Sequence, residues 1–183
     1  MEGSKKQNEK NKSLTEIKTF GVPFALEENK ENITINTNTL YKPSKEKIIE
    51  QALKLHSQGY IKEAERCYQD FIHEGFKDHR VFSNYGVILK GLGKSHEAEI
   101  LYRKAIEVRP NFTDAHYNLG NILKDLGNLE EAEFATRKAI ELNPHLTEAH
   151  LNLGIILKDL GNLEEAEFAT RKAIELNPHL TEA

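Results

Sequence analysis

From residue 45 onward the apolar residues recur at intervals of three and four and are interrupted at fixed places by glycine. In the stretch from 113 to 126, Leu119, Ile122, Leu123 and Leu126 share one face of a predicted helix, and Gly127 is placed to close it. Asn128 with Glu131 forms a capping pair that predicts a second helix, running through Ala132 and Ala139 to Leu142. Pro144 lies just beyond, where it cannot continue a helix. Gly120, Ala132 and Ala139 are small at the places where two antiparallel helices would cross closely. Glu133 and Arg137, four apart, support the outer face by about 0.3 kcal/mol.

This two-helix pattern returns with a step of 34 residues. Pro110, Pro144 and Pro178 keep the step, as do Gly86, Gly120 and Gly154, and again Gly93, Gly127 and Gly161. Ala98, Ala132 and Ala166 follow it, together with Ala105, Ala139 and Ala173. Counting back gives a worn first copy that retains Leu55, Gly59, Ala64 and Tyr68 but departs from the pattern at Gln51, Ala52, Phe71 and Phe76. The frame is 45–78, 79–112, 113–146 and 147–180, and residues 181–183 read as the start of a truncated further repeat. An array of this kind is quasi-one-dimensional, each unit covering the apolar face of its neighbour. With its would-be neighbour cut short, the fourth unit is expected to leave uncovered part of the apolar face that includes Leu153, Ile156, Leu157, Leu160, Ala166 and Ala173. Fraying of residues 162–183, or end-to-end self-association through that face, is the expected consequence.

The 34-residue helix–turn–helix unit, with its small crossing residues and closing proline, resembles the tetratricopeptide repeat (TPR). The resemblance covers about three quarters of the chain and implies an all-α fold, a right-handed superhelical solenoid. Two positions depart from the family pattern. Its usual aromatic near the start of the first helix is Phe82, His116 and His150 here, and the large residue late in the second is Tyr68 and Tyr102 but only Thr136 and Thr170 later, which is expected to loosen packing locally. The run "AHYNLGNILKDLGNLEEAE" resembles repeats of the O-linked N-acetylglucosamine transferase, and arrays of this flavour also resemble those of cyanobacterial TPR proteins. The resemblance therefore implies a binding module for a protein or peptide. The alternative it implies is the N-terminal recognition arm of a larger glycosyl-, sulfo- or methyltransferase.

In the family the first helices line a concave groove that meets the ligand. The third and fourth units differ at only three places, Asp114 against Glu148, Tyr117 against Leu151 and Asn121 against Ile155, and this spacing puts all three on one stripe of the first helix. Beside it runs one asparagine per unit, Asn84, Asn118 and Asn152. A side-chain amide can donate to a peptide carbonyl and accept from a peptide N–H at once, so a ladder of them could hold an extended chain by its backbone. A similar ladder occurs in the transferase array; the alternative is that each asparagine satisfies a neighbouring helix. The candidate partner-binding residues are therefore Arg80, Ser83, Asn84 and Val87 in the second unit, Asp114, Tyr117, Asn118 and Asn121 in the third, and Glu148, Leu151, Asn152 and Ile155 in the fourth. The two-carboxylate clamp of chaperone-binding TPR proteins matches less well, because Ile49, Ser83, Tyr117 and Leu151 stand where a clamp lysine is wanted.

Composition then narrows the chemistry. Residues 1–44 are rich in Lys, Glu, Asn and Thr, with their few apolar residues clustered at Phe20–Leu26, so most of this tail is expected to be disordered. It has no apolar core and does not read as a signal peptide, and the N-x-S/T triplets at Asn11, Asn32 and Asn111 read as chance matches. A net charge of -4 with interspersed signs lacks the footprint of a nucleic-acid binder, and no apolar run reaches membrane-spanning length. A lone cysteine, Cys67, forms no internal disulfide and fits a reducing, cytoplasmic setting. "GLGKS" at 91–95 ends like a phosphate-binding loop, but Ile88 stands where that motif needs its first glycine, and the sister units read "DLGNL". The histidine pairs 116/150 and 145/179 are 34 apart as copies and show no metal-ligand clustering. No catalytic residue, metal site or cofactor is expected.

Overall fold

The computed structural model describes residues 44–181, and the expectations for the tail and its Phe20–Leu26 patch fall outside this range. The described residues form eight α-helices: α1 (Lys45–Ser57), α2 (Ile61–His73), α3 (His79–Gly91), α4 (Ser95–Val108), α5 (Thr113–Asp125), α6 (Leu129–Leu142), α7 (Thr147–Asp159) and α8 (Leu163–Leu176). A 3₁₀ turn, Pro178–Thr181, follows α8. Helices pack as pairs, α1 on α2 through α7 on α8, and each pair stacks on the next, giving an all-α repeat solenoid.

The turn inside each pair is set by backbone chemistry. After α5, Gly127 takes φ 82°. That lets its N–H donate to the Lys124 carbonyl at 3.0 Å, while the Asn128 N–H donates to Leu123 at 2.9 Å. These two bonds satisfy carbonyls that the helix end would otherwise leave without partners. The turns at Gly59, Gly93 and Gly161 have the same two bonds, so "GLGKS" is a helix-to-helix turn in the structure.

The same turn overrules the expected capping pair. Asn128 leads into α6 with ψ 67° and makes no side-chain cap bond. Its backbone is already committed to closing α5. Side-chain capping occurs instead at Ser44 and Asp78, whose ψ values of 150° and 130° are the extended geometry an N-cap needs.

The small residues are where the helices cross. Ala64, Ala98 and Ala132 are fully buried. On the fourth-unit face expected to be partly uncovered, Leu153, Ile156, Leu157, Ala166 and Ala173 are buried as well, because α7 packs on both α6 and α8. A side chain on Gly86 would strike the ring of Tyr102, and one on Gly120 would land on the Thr136 hydroxyl. Tyr102 is itself buried, and burial pushes its hydroxyl pKa up to about 12. At Thr136 the expected loosening takes a specific form: the residue is fully buried, and its hydroxyl accepts a hydrogen bond from Asn152 Nδ2 at 3.4 Å.

Candidate functional site

On α5, Asp114 is exposed and Tyr117, Asn118 and Asn121 are half-buried. On α7, Glu148 is exposed, as are Leu151 at 37% and Ile155 at 41%, and on α3 Val87 is exposed at 42%. These positions keep the register expected of a stripe along the first helices. It changes in character along the array, with Tyr117 and Asn121 in the third unit giving way to Leu151 and Ile155 in the fourth.

Four of the candidate residues are engaged within the fold. Ser83 is buried. Arg80 donates to both carboxylate oxygens of Asp78 at 3.1 Å and to Glu46 of the preceding pair at 3.0 Å. Burial by itself would raise the Asp78 carboxyl, but the hydrogen bonds and charge of Arg80 outweigh it and hold the group below the ordinary carboxylate range. Asn84 donates to the Arg80 carbonyl of its own helix at 2.9 Å. Asn152 departs furthest from an exposed ladder, being 5% exposed with its amide turned to Thr136. One step of 34 residues back, the counterpart of Thr136 is Tyr102, and Asn118 is half-buried where Asn152 is buried.

The histidines that replace the family aromatic are structural ties. His116 Nε2 donates to the Pro110 carbonyl at 2.7 Å, and His150 Nε2 donates to the Pro144 carbonyl at 2.9 Å. Among the described residues no group of three or more His, Cys, Asp or Glu is placed to hold a metal ion. No helix among them is long and apolar enough to cross a membrane.

A second feature was not anticipated from the pattern of residues. Two open grooves, of about 570 and 500 Å³, lie between successive second helices. The first has walls from α4 and α6 and a floor of Leu119 and Leu123 from α5. The second repeats it 34 residues later, with Leu153 and Leu157 of α7 as the floor. Phe134 and Phe168, each 74% exposed, stand on their walls. The signal that could have found them is a comparison within the chain. In the second unit the corresponding positions carry Phe82, Tyr85 and Leu101, all buried, where the third has His116, Leu119 and Ala135. Smaller side chains at these positions leave the trough unfilled.

The family model described as tetratricopeptide repeat matches residues 113–146 and 147–180, and one described as TPR repeat matches 88–127. Among solved structures, one of MamA superposes with a TM-score of 0.68 at 19% identity, covering 76% of this chain and 82% of that one. MamA from Desulfovibrio magneticus RS-1 gives 0.67 at 22% identity, covering 74% and 76%. YrrB, described as a TPR protein with an unusual peptide-binding site, gives 0.66 at 24% identity, covering 74% and 70%. At these identities the likeness is one of fold. No curated protein sequence matches the chain.

Proposed function

The chain belongs to the tetratricopeptide-repeat family, and from that premise we propose that its array is a protein-interaction module holding an extended peptide or partner segment along the first helices. One observation carries the reading. The third and fourth units are identical except at three positions, and all three lie on the accessible stripe of α5 and α7. Copies that agree throughout their core differ where a ligand would touch them. The peptide-binding description of YrrB supports this reading by likeness of fold.

The structure shifts the weight within the site. Asn152 serves the packing of α7 on α6, so the contacts proposed for a ligand centre on Val87, Tyr117, Asn118, Asn121, Leu151 and Ile155, with Asp114 and Glu148 at one end. The side chains at 151 and 155 favour apolar ligand residues over the fourth unit, and Asn121 favours a polar one over the third.

A random 12-residue peptide display library panned on the full chain tests this directly. Tyr117→Ser with Ile155→Ser should weaken the selected peptides. Two partly exposed apolar side chains lose roughly 1–3 kcal/mol of burial between them, about five- to hundredfold in Kd. The thermal midpoint should hardly move. Failure to enrich any peptide, or equal affinity for the double variant, overturns the proposal.

A further inference from the structure

We propose that the two outer grooves form a second docking surface, independent of the first-helix stripe, whose occupant is a basic amphipathic helix of a partner protein. On α5 the stripe residues Asp114, Tyr117 and Asn121 and the groove residues His116, Leu119 and Leu123 are about half a turn apart at 3.6 residues per turn. They face opposite ways, so one ligand does not serve both.

The shape favours a helix. α4 and α6 make no close backbone approach to each other, because α5 packs between them as the floor. A trough with two helical walls and a helical floor is filled by one more helix, whose side-chain ridges enter the gaps between theirs. Ile106 and Phe134 line the first trough and Ile140 and Phe168 the second, while Ala135 and Ala169 leave room for an inserted large side chain.

The charge favours a basic occupant. Each groove is lined by one arginine and three glutamates: Arg103 with Glu107, Glu130 and Glu131 in the first, Arg137 with Glu141, Glu164 and Glu165 in the second. Both arginines are already occupied, Arg103 by Glu99 and Glu131 and Arg137 by Glu133 and Glu165. Lys138 pairs with Glu141 beside the second groove, and with that lysine counted the surplus is still negative at both grooves. A helix with an apolar face and flanking lysines or arginines complements that rim, and an acidic one is repelled by it. Two copies of the same groove also suit a partner that presents its anchors twice.

The test uses three labelled 16-residue peptides: one with Leu and Phe at i, i+3, i+4 and i+7 and Lys elsewhere, the same pattern with Glu for Lys, and a scramble of the first. Binding to the full chain is read by fluorescence anisotropy. The lysine peptide should bind. It should weaken at least tenfold on Phe134→Ser with Phe168→Ser, changes at exposed positions that leave the core alone. Ala135→Leu with Ala169→Leu, which refills the trough as Leu101 does in the second unit, should weaken it similarly. Glu130→Lys with Glu164→Lys should transfer preference to the glutamate peptide. Failure of the lysine peptide to bind overturns the proposal, as does equal binding of all three peptides or indifference to the phenylalanine variants. So does sedimentation showing that those phenylalanines instead hold two copies of this chain together. Tyr117→Ser with Ile155→Ser should leave the lysine peptide unaffected, which separates this proposal from the stripe.

Discussion

Gly120 lies where α5 crosses α6, and Gly120→Ala measures how tightly the pair is built. The added Cβ would fall on the Thr136 Oγ1 and stand 3.3 Å from the Ala132 carbonyl oxygen and the Thr136 backbone nitrogen. Those backbone atoms cannot yield without moving the helix. The hydroxyl can yield only by rotating, which gives up its hydrogen bond from Asn152. Overpacking of this kind costs typically about 1–3 kcal/mol, and the lost hydrogen bond about 0.5–1.5 kcal/mol. Alanine returns roughly 0.5–1 kcal/mol as the better helix former. The net expectation is a destabilisation of about 0.5–4 kcal/mol, centred on about 2 kcal/mol.

Gly127→Ala is the matched control. Its Cβ meets nothing within 4 Å, so its cost comes only from forcing alanine to φ 82°, about 1–2 kcal/mol. Thr136→Ala tells the two causes apart. It should recover part of the Gly120→Ala loss, with a coupling of at least about 0.5 kcal/mol, and add independently to Gly127→Ala. Urea unfolding followed by circular dichroism gives the totals. Hydrogen exchange assigns them to helix pairs, which matters because repeat arrays need not unfold in one step. If Gly120→Ala is as stable as the parent with Thr136 intact, or strictly additive with Thr136→Ala, the close-crossing argument is wrong.

Four further outcomes follow from the same geometry. Asp78→Ala, which removes both the α3 cap and the anchor of Arg80, should cost about 0.5–2 kcal/mol at neutral pH, read as lost exchange protection in α3. Because the Asp78 carboxyl is held below its ordinary range, its contribution is complete above that range and is lost as pH falls through the lower folded value. This acid limb should flatten in the alanine variant. Burial lowers the pKa of His56, so protonation opposes folding, and the α1–α2 pair should weaken as pH drops below about 6.5, an effect that His56→Gln removes. Arg137→Gln breaks pairs to Glu133 and Glu165, both partly exposed, and should change stability by less than about 1 kcal/mol, with the difference shrinking in 1 M salt.

The array was legible because glycine, alanine and proline recur for reasons that belong to the backbone. A left-handed turn, a close crossing and a helix stop each demand a particular residue and tolerate few others. Side-chain roles were legible only where no neighbour intervened. Asn128 has the composition of a cap, yet its ψ is fixed by the turn that ends the helix before it. Asn152 repeats Asn118 in the next unit, yet it is buried with its amide donating to Thr136, a position that holds Tyr102 one unit earlier. The outer grooves left no mark in the hydrophobic periodicity, since they come from bulk that is missing. Ala135 reads as a good helix residue, and only alignment with Leu101 shows what it no longer fills.

The two surfaces differ in a way that predicts how they should behave together. Along the stripe the third and fourth units present different side chains, so the proposed ligand there would meet a direction and a sequence. The two grooves carry the same residue at every lining position: Ile106 of α4 recurs as Ile140 of α6, Leu119 as Leu153, Phe134 as Phe168, and Arg103 and Glu107 as Arg137 and Glu141. A groove ligand therefore sees the same anchor twice and gains through repetition. Coupling between the faces would need an element with two discrete arrangements that both ligands bias. The α5 helix offers none, with Ala115 and Ile122 fully buried and Gly120 held against Thr136. Saturating the stripe with a library-selected peptide should accordingly change the Kd of the lysine peptide by no more than about twofold. A tenfold change in either direction, measured by anisotropy with both peptides present, would mean that α5 moves and that the two faces are parts of one site.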